Sequence, residues 1–281
     1  MKKSLPLSGI QIISLSVNLP GPAAAARMVE LGANVTKIEP PGGDPLALWY
    51  PEWYHALTSG QQMMQLNLKQ SDELKYLEEM LAKADLLLTS MRLSALRRLG
   101  LDWGKLSKNF SQLCQVAIVG YPPPEDERAG HDLIYQAGLG LVDPPTMPRT
   151  LLADLAGAER AVYTALALLL GRQRGQGAGF AVVSLVEAAE LFAQPLQYGA
   201  TSPGGLLGGG LPRYRLYRVQ EGWIAVAALE EHFWQRLTLE LGLTPADVQA
   251  EDLQTVFLTQ PASYWDAWAR ERDIPLLAIQ D

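Results

Sequence analysis

The sequence predicts an α/β protein: a parallel sheet covered by helices in a large N-terminal domain, followed by a smaller α+β domain. Three observations carry this. Short β-rich runs alternate with helix-like segments through the first 120 residues. A glycine- and proline-rich stretch interrupts the chain near residue 200. Beyond it, a strand pair precedes helical segments rich in tryptophan.

Each element has its own signal. "IQIISLSV" (10–17) is a short β-rich run, and "PGPAAAARMVELG" (20–32) is an alanine-rich helical pattern that stops at glycine. "ANVTKIE" (33–39) reads as a second strand. "SDELKYLEEMLAKA" (71–84) opens with a serine cap and first-turn acids, and "DLLLTS" follows as a strand. "QLCQVAIVG" (112–120) repeats the strand pattern. Residues 151–171 read as a long apolar helix buried on most sides. "GRQRGQGAG" (171–179) is a turn into the strand-like "FAVVSLV". "GATSPGGLLGGGLP" (199–212) reads as a connection between domains, which gives a large domain over 1–198 and a small one over 213–281. The small domain starts with the strand pair "RLYRVQEGWIAVAAL".

Parallel sheets of this kind bind ligands beyond the carboxyl ends of their strands, so chemistry is expected after residues 17, 39, 90 and 120. No Gly-x-Gly-x-x-Gly or Walker loop stands at any of them, which argues against a nucleotide cofactor held in those ways. The chain has 281 residues, 48% of them apolar and 19% charged, as expected of a folded globular protein. Its net charge of −7 argues against a general nucleic-acid surface, while leaving room for a local basic pocket. The single cysteine, Cys114, has no disulfide partner in the chain and sits in a strand-like flank, which points to a reducing compartment. "MKKSLPLSGIQII" lacks a sustained apolar segment and "AVYTALALLLG" (161–171) is too short to span a bilayer, so a cytoplasmic protein without membrane or nucleic-acid partners is expected.

Two residues invite a chemical reading. His131, in "RAGHDLIYQAGLG", reads either as a polar residue at the mouth of a helix or as a base with a proton affinity suited to neutral pH. Asp154, in "LLADLAGAERAV", reads as a first-turn helix acid, a location that also serves to aim a reactive carboxylate into a cleft. Glu230, where "WIAVAAL" meets a helix, reads by default as a solvated helix start. No Cys/His cluster suggests a metal site, and no serine occupies a Gly-x-Ser-x-Gly elbow.

The ordered motifs resemble the class III CoA-transferase family (CaiB/BaiF type), and most of all its α-methylacyl-CoA racemase branch. They are "LGANVTKIEPPGGDP" (31–45), "MRLSALRRLGLDW" (91–103), "GHDLIYQAGLGL" (130–141), "LLADLAGAERAVYTALALLLGRQRGQG" (151–177), "GGGLPRYRLYRVQEGWIAVAALEEHF" (208–233) and "YWDAWARERDIPLLAI" (264–279). The resemblance implies the fold of that family, with a Rossmann-like large domain but without the usual C-terminal return segment, since the chain ends at Asp281. It implies a homodimer, an acyl-CoA substrate with no permanently bound cofactor, and phosphate contacts from Lys37, Arg92 and Arg98.

It also implies the catalytic set. His131, Asp154 and Glu230 match the racemase positions: two bases on opposite faces of the α-carbon, with Glu230 pairing the imidazole. Backbone N–H groups at a helix N-terminus are expected to hold the enolate oxygen. The alternatives are a CoA-transferase with Asp154 as nucleophile, or a non-catalytic partner protein that keeps the fold. Departures from the family favour the latter: Gln61 and Gln62 stand where cations are expected, and the loop after Gly120 is the proline-rich, acidic "YPPPEDE".

Overall fold

The computed structural model describes residues 5–279. They form two compact units, one running to Phe192 and the other starting at Ala193.

The first unit runs β1 (Gln11–Ser14), α1 (Pro20–Glu30), β2 (Asn34–Glu39), α2 (Pro45–Trp49), α3 (Pro51–Thr58), β3 (Gln62–Gln65), α4 (Ser71–Leu81) and β4 (Leu86–Thr89). It continues with α5 (Leu93–Leu99), α6 (Trp103–Asn109), β5 (Cys114–Val119), α7 (Asp132–Gly138), α8 (Leu152–Gly171), β6 (Phe180–Ser184) and α9 (Leu185–Gln197), which crosses into the second unit. The six strands form one sheet in the order β3-β2-β1-β4-β5-β6, every pair parallel. The order is that of a doubly wound Rossmann sheet, as expected.

Burial explains why the central strands read so clearly. Every residue of β4 and β5 is buried, because helices cover both faces, so these strands are continuous apolar runs, with Cys114 among the buried residues. β3 at the edge is mostly exposed and carries glutamine at both ends, which left no strand signal in the sequence. α1 starts with proline in its first turn, where the missing N–H has no helical partner to lose. It packs against α8. α8 buries one stripe, chiefly Ala153, Ala156, Gly157, Ala161 and Ala165. Its other side exposes Leu155, Tyr163 and Leu170, so it is less enclosed than its composition suggests.

Sheet order changes direction at β1: the chain moves outward to β2 and β3, then returns to place β4 on the other side of β1. Such a reversal opens a crevice beyond the carboxyl ends of β1 and β4.

The second unit holds β7 (Tyr214–Arg218), β8 (Trp223–Ala227), α10 (Glu231–Glu240), α11 (Ala250–Phe257), α12 (Ala262–Glu271) and β9 (Leu276–Ala278). Its antiparallel sheet runs β7-β8-β9. Tyr217, Ile224, Val226, Trp234, Phe257, Trp265 and Trp268 build its core. Within the glycine-rich stretch, residues 206–210 form a helical turn that packs on β7. No helix among the described residues is long and apolar enough to cross a membrane.

Candidate active site

A cavity of about 180 Å³ opens at the reversal point. Val17 and Asn18 reach it from beyond β1, Ser90, Met91 and Arg92 from beyond β4, and Gly120 from the end of β5. Asp126 and Arg128, from the proline-rich loop, line it as well. His131, Tyr135 and Asp154 complete the wall. His131 and Asp154, 23 positions apart in sequence, thus meet at one cavity.

His131 is the N-cap of α7, with extended backbone (φ −140°, ψ 166°), and its side chain is exposed. Asp154 lies in the first turn of α8. What fixes it there is Asp132, the sequence neighbour of His131. Asp132 is buried and turned the other way. Its Oδ1 accepts from the backbone N–H of Ala153 (2.7 Å) and of Asp154 (3.1 Å). Its Oδ2 accepts from Gln136 Nε2 (2.5 Å), which also donates to the carbonyl of Thr150 (2.9 Å). α8 has no cap from its own N-cap residue, Leu151, so the carboxylate of Asp132 caps it from α7.

Two consequences follow. The amides of Ala153 and Asp154 are spent on Asp132 and are not free to hold an enolate oxygen. The second consequence is electrostatic. Burial, and then the charge of Asp132, push the Asp154 carboxyl up from an ordinary 3.8 to about 7. At neutral pH it shares its time between acid and carboxylate. Among the described residues no cluster of three potential metal ligands gathers.

The remaining sequence candidates are placed differently. Lys37, expected at a phosphate, is fully buried in β2 and its ammonium is taken by carboxylates. It pairs with Glu39 and with Asp44 Oδ2 (2.6 Å), and lies 4.8 Å from the Tyr54 ring centre. Asp44 Oδ1 in turn accepts from the N–H groups of Asn18 and Leu46, both at 2.9 Å. Asn18 has a left-handed backbone (φ 65°) and lines the cavity. Lys37 therefore braces the cavity wall through Asp44 and presents no free cation to a phosphate.

Arg92 and Arg98 are exposed. Arg92 lines the cavity, 4.0 Å from Glu127. Arg98, with Lys69, lines a second cavity of about 750 Å³ beyond β1, β2 and β3. Val17 and Met91 face both cavities. Glu230 belongs to the second unit, where it is the exposed N-cap of α10 and makes no side-chain cap bond.

Comparison with known proteins decides the family. The model of "CoA-transferase family III" matches residues 7–281. The chain belongs to CoA-transferase family III. Similar to this family III chain is a CaiB/baiF CoA-transferase family protein of Caenorhabditis elegans, 27% identical over 92% of this chain and 81% of its own length. An alpha-methylacyl-CoA racemase of Mus musculus is 26% identical over 94% of this chain and 72% of its own. A cinnamoyl-CoA:phenyllactate CoA-transferase of Clostridium sporogenes is 31% identical over 65% of this chain and 49% of its own. Family III relatives of this chain thus include both racemases and transferases. Among solved structures, a hypothetical protein of Mycobacterium tuberculosis superposes with a TM-score of 0.84 at 22% identity, covering 99% of this chain and 84% of that one. A CaiB/BaiF family protein of Brucella suis gives 0.82 at 21% identity, covering 99% and 85%. Both share the family III fold.

Proposed function

We propose that this protein racemises an acyl-CoA thioester at its α-carbon, taking a proton from one face and returning one to the other. The observation that carries the reading is that His131 and Asp154 line one cavity while Asp154 is held near a pKa of 7. A thioester α-proton is weakly acidic, and inversion needs an acceptor on one face together with a donor on the other. The His131 imidazole accepts the α-proton, and protonated Asp154 supplies the new one; the reverse direction exchanges the roles. A carboxyl that keeps a protonated fraction at neutral pH suits that donation, which favours proton transfer over the transferase reading.

The CoA portion is assigned to the larger cavity. Its apolar floor (Leu15, Ile38, Leu66, Leu99) suits a base, and Lys69 and Arg98 suit phosphates, with Arg92 toward the thioester. Lys37 contributes by bracing, as above. The substrate is a 2-methylacyl-CoA or a thioester of that kind, acted on in the cytoplasm by a homodimer.

Incubation with 2-methylacyl-CoA in D₂O, followed by mass spectrometry of the α-carbon, tests this. Deuterium gain that disappears in both His131→Ala and Asp154→Asn is expected. No gain, with a known racemase working in the same buffer, overturns the proposal. A hydroxylamine-sensitive acyl adduct on Asp154, formed equally well in His131→Ala, establishes the transferase instead. Glu230→Gln tests the role that the resemblance gives Glu230, and is expected to slow exchange while leaving CoA binding unchanged.

A further inference from the structure

We propose that the hydroxyl of Tyr135 is the hydrogen-bond donor that receives the thioester oxygen as it becomes an enolate. The inference rests on the proton-transfer reading above. Removal of the α-proton by His131 leaves an electron pair that moves into the thioester carbonyl, placing negative charge on its oxygen until Asp154 returns a proton to the α-carbon. That charge needs a preorganised donor. The α8 amides of Ala153 and Asp154 are already committed to Asp132.

Tyr135 offers one. Its side chain is only 4% exposed, it lines the cavity, and its hydroxyl has no hydrogen-bond partner among the described residues. A hydroxyl at a cavity wall with no protein partner is free to donate to a ligand that enters. Space for the phenol is set by two glycines on the same cavity wall. A Cβ at Gly120 would stand 2.2 Å from the hydroxyl oxygen, and one at Gly130 would stand 2.8 Å from it. The ring rests edge-on against Tyr121, with centroids 5.2 Å apart. His131, the N-cap just before α7, and Tyr135, within it, both line the cavity. Burial, then Tyr121, Asp154 and Asp132, push the phenol up to about 12, so it stays a donor wherever the reaction runs.

Tyr135→Phe keeps the ring and removes only the hydroxyl. Two measurements on the full chain test it: α-deuterium exchange into 2-methylacyl-CoA, and calorimetric binding of CoA and of a CoA thioether with a nitronate tail, an enolate mimic. The variant is expected to lower kcat for exchange about 100-fold with KM little changed. It is expected to weaken nitronate binding about 10–100-fold and leave CoA binding unchanged. Equal nitronate affinity in variant and wild type overturns the assignment. Nitronate binding that depends on Tyr135 in a protein without exchange activity overturns the racemase reading alone. A wild type that binds neither ligand overturns both.

Discussion

Asp154 carries a stability signature that needs no substrate to read. Its native pKa of about 7 lies above the 3.8 of the unfolded chain, so between these values the native state holds a proton that the unfolded state has lost. The contribution of Asp154 to stability therefore falls as pH rises from about 4 to 7 and is flat on either side. The full shift corresponds to at most about 4 kcal/mol, and contact with water in the open cavity leaves roughly 1–2 kcal/mol. Asp154→Asn removes the penalty. It is expected to match wild type in melting temperature at pH 4 and exceed it by several degrees at pH 8 (about 1–2 kcal/mol); equal melting temperatures at both values contradict the shift. At this scale the sequence pointed to His131 and Asp154 through position and family likeness. It gave no sign of the capping role of Asp132, whose partners lie 21 and 22 residues away across a helix pair. Lys37 misled for a related reason: strand alternation allows it one open face, but both ends of its environment close over it with Glu39 and Asp44.

The element that sets the site's geometry is α8, and its capping from outside makes a separate prediction. Asp132→Ala frees the amides of Ala153 and Asp154 and removes the clamp to Gln136. The loss is expected to destabilise the fold by about 1–2 kcal/mol in urea unfolding, and to speed amide hydrogen exchange at residues 153 and 154 above the rest of α8. Uniform exchange along α8 would show that another group caps it. β4 and β5 were legible because full burial writes apolar character into every position, and the helix of residues 152–171 because its apolar run is long. α2, α3, β3, α5 and α6 were not, being short, partly exposed segments whose shape comes from what they pack on. The glycine-rich stretch read as a connection only; the turn of 206–210 takes form against β7, a partner that local composition does not announce.

On the scale of the whole chain, the second unit has a core of its own, with Trp265 in edge-on contact with both Phe257 and Trp268. A fragment of residues 199–281 is expected to fold alone, with a near-ultraviolet circular dichroism signal from these rings and a cooperative melt. A featureless spectrum and a gradual melt would tie the unit's folding to the first. At roughly 80 residues it stands near the size at which a single apolar core suffices, so its melting point is expected below that of the complete chain. The hydrophobic pattern changes kind near residue 200, from strands separated by helices to a strand pair, while the division of the structure falls at Phe192, inside α9.

Val17 and Met91 line both the cavity of His131 and Asp154 and the hollow of Lys69 and Arg98, and so stand between them. A thioester that occupies both must cross this sill, so the reach of its pantetheine arm becomes a gauge that meters how far the α-carbon travels past it. Thioesters cut back to a short thiol keep the reacting carbon but lose the anchor behind the sill, and with it the binding energy that holds the carbon in place.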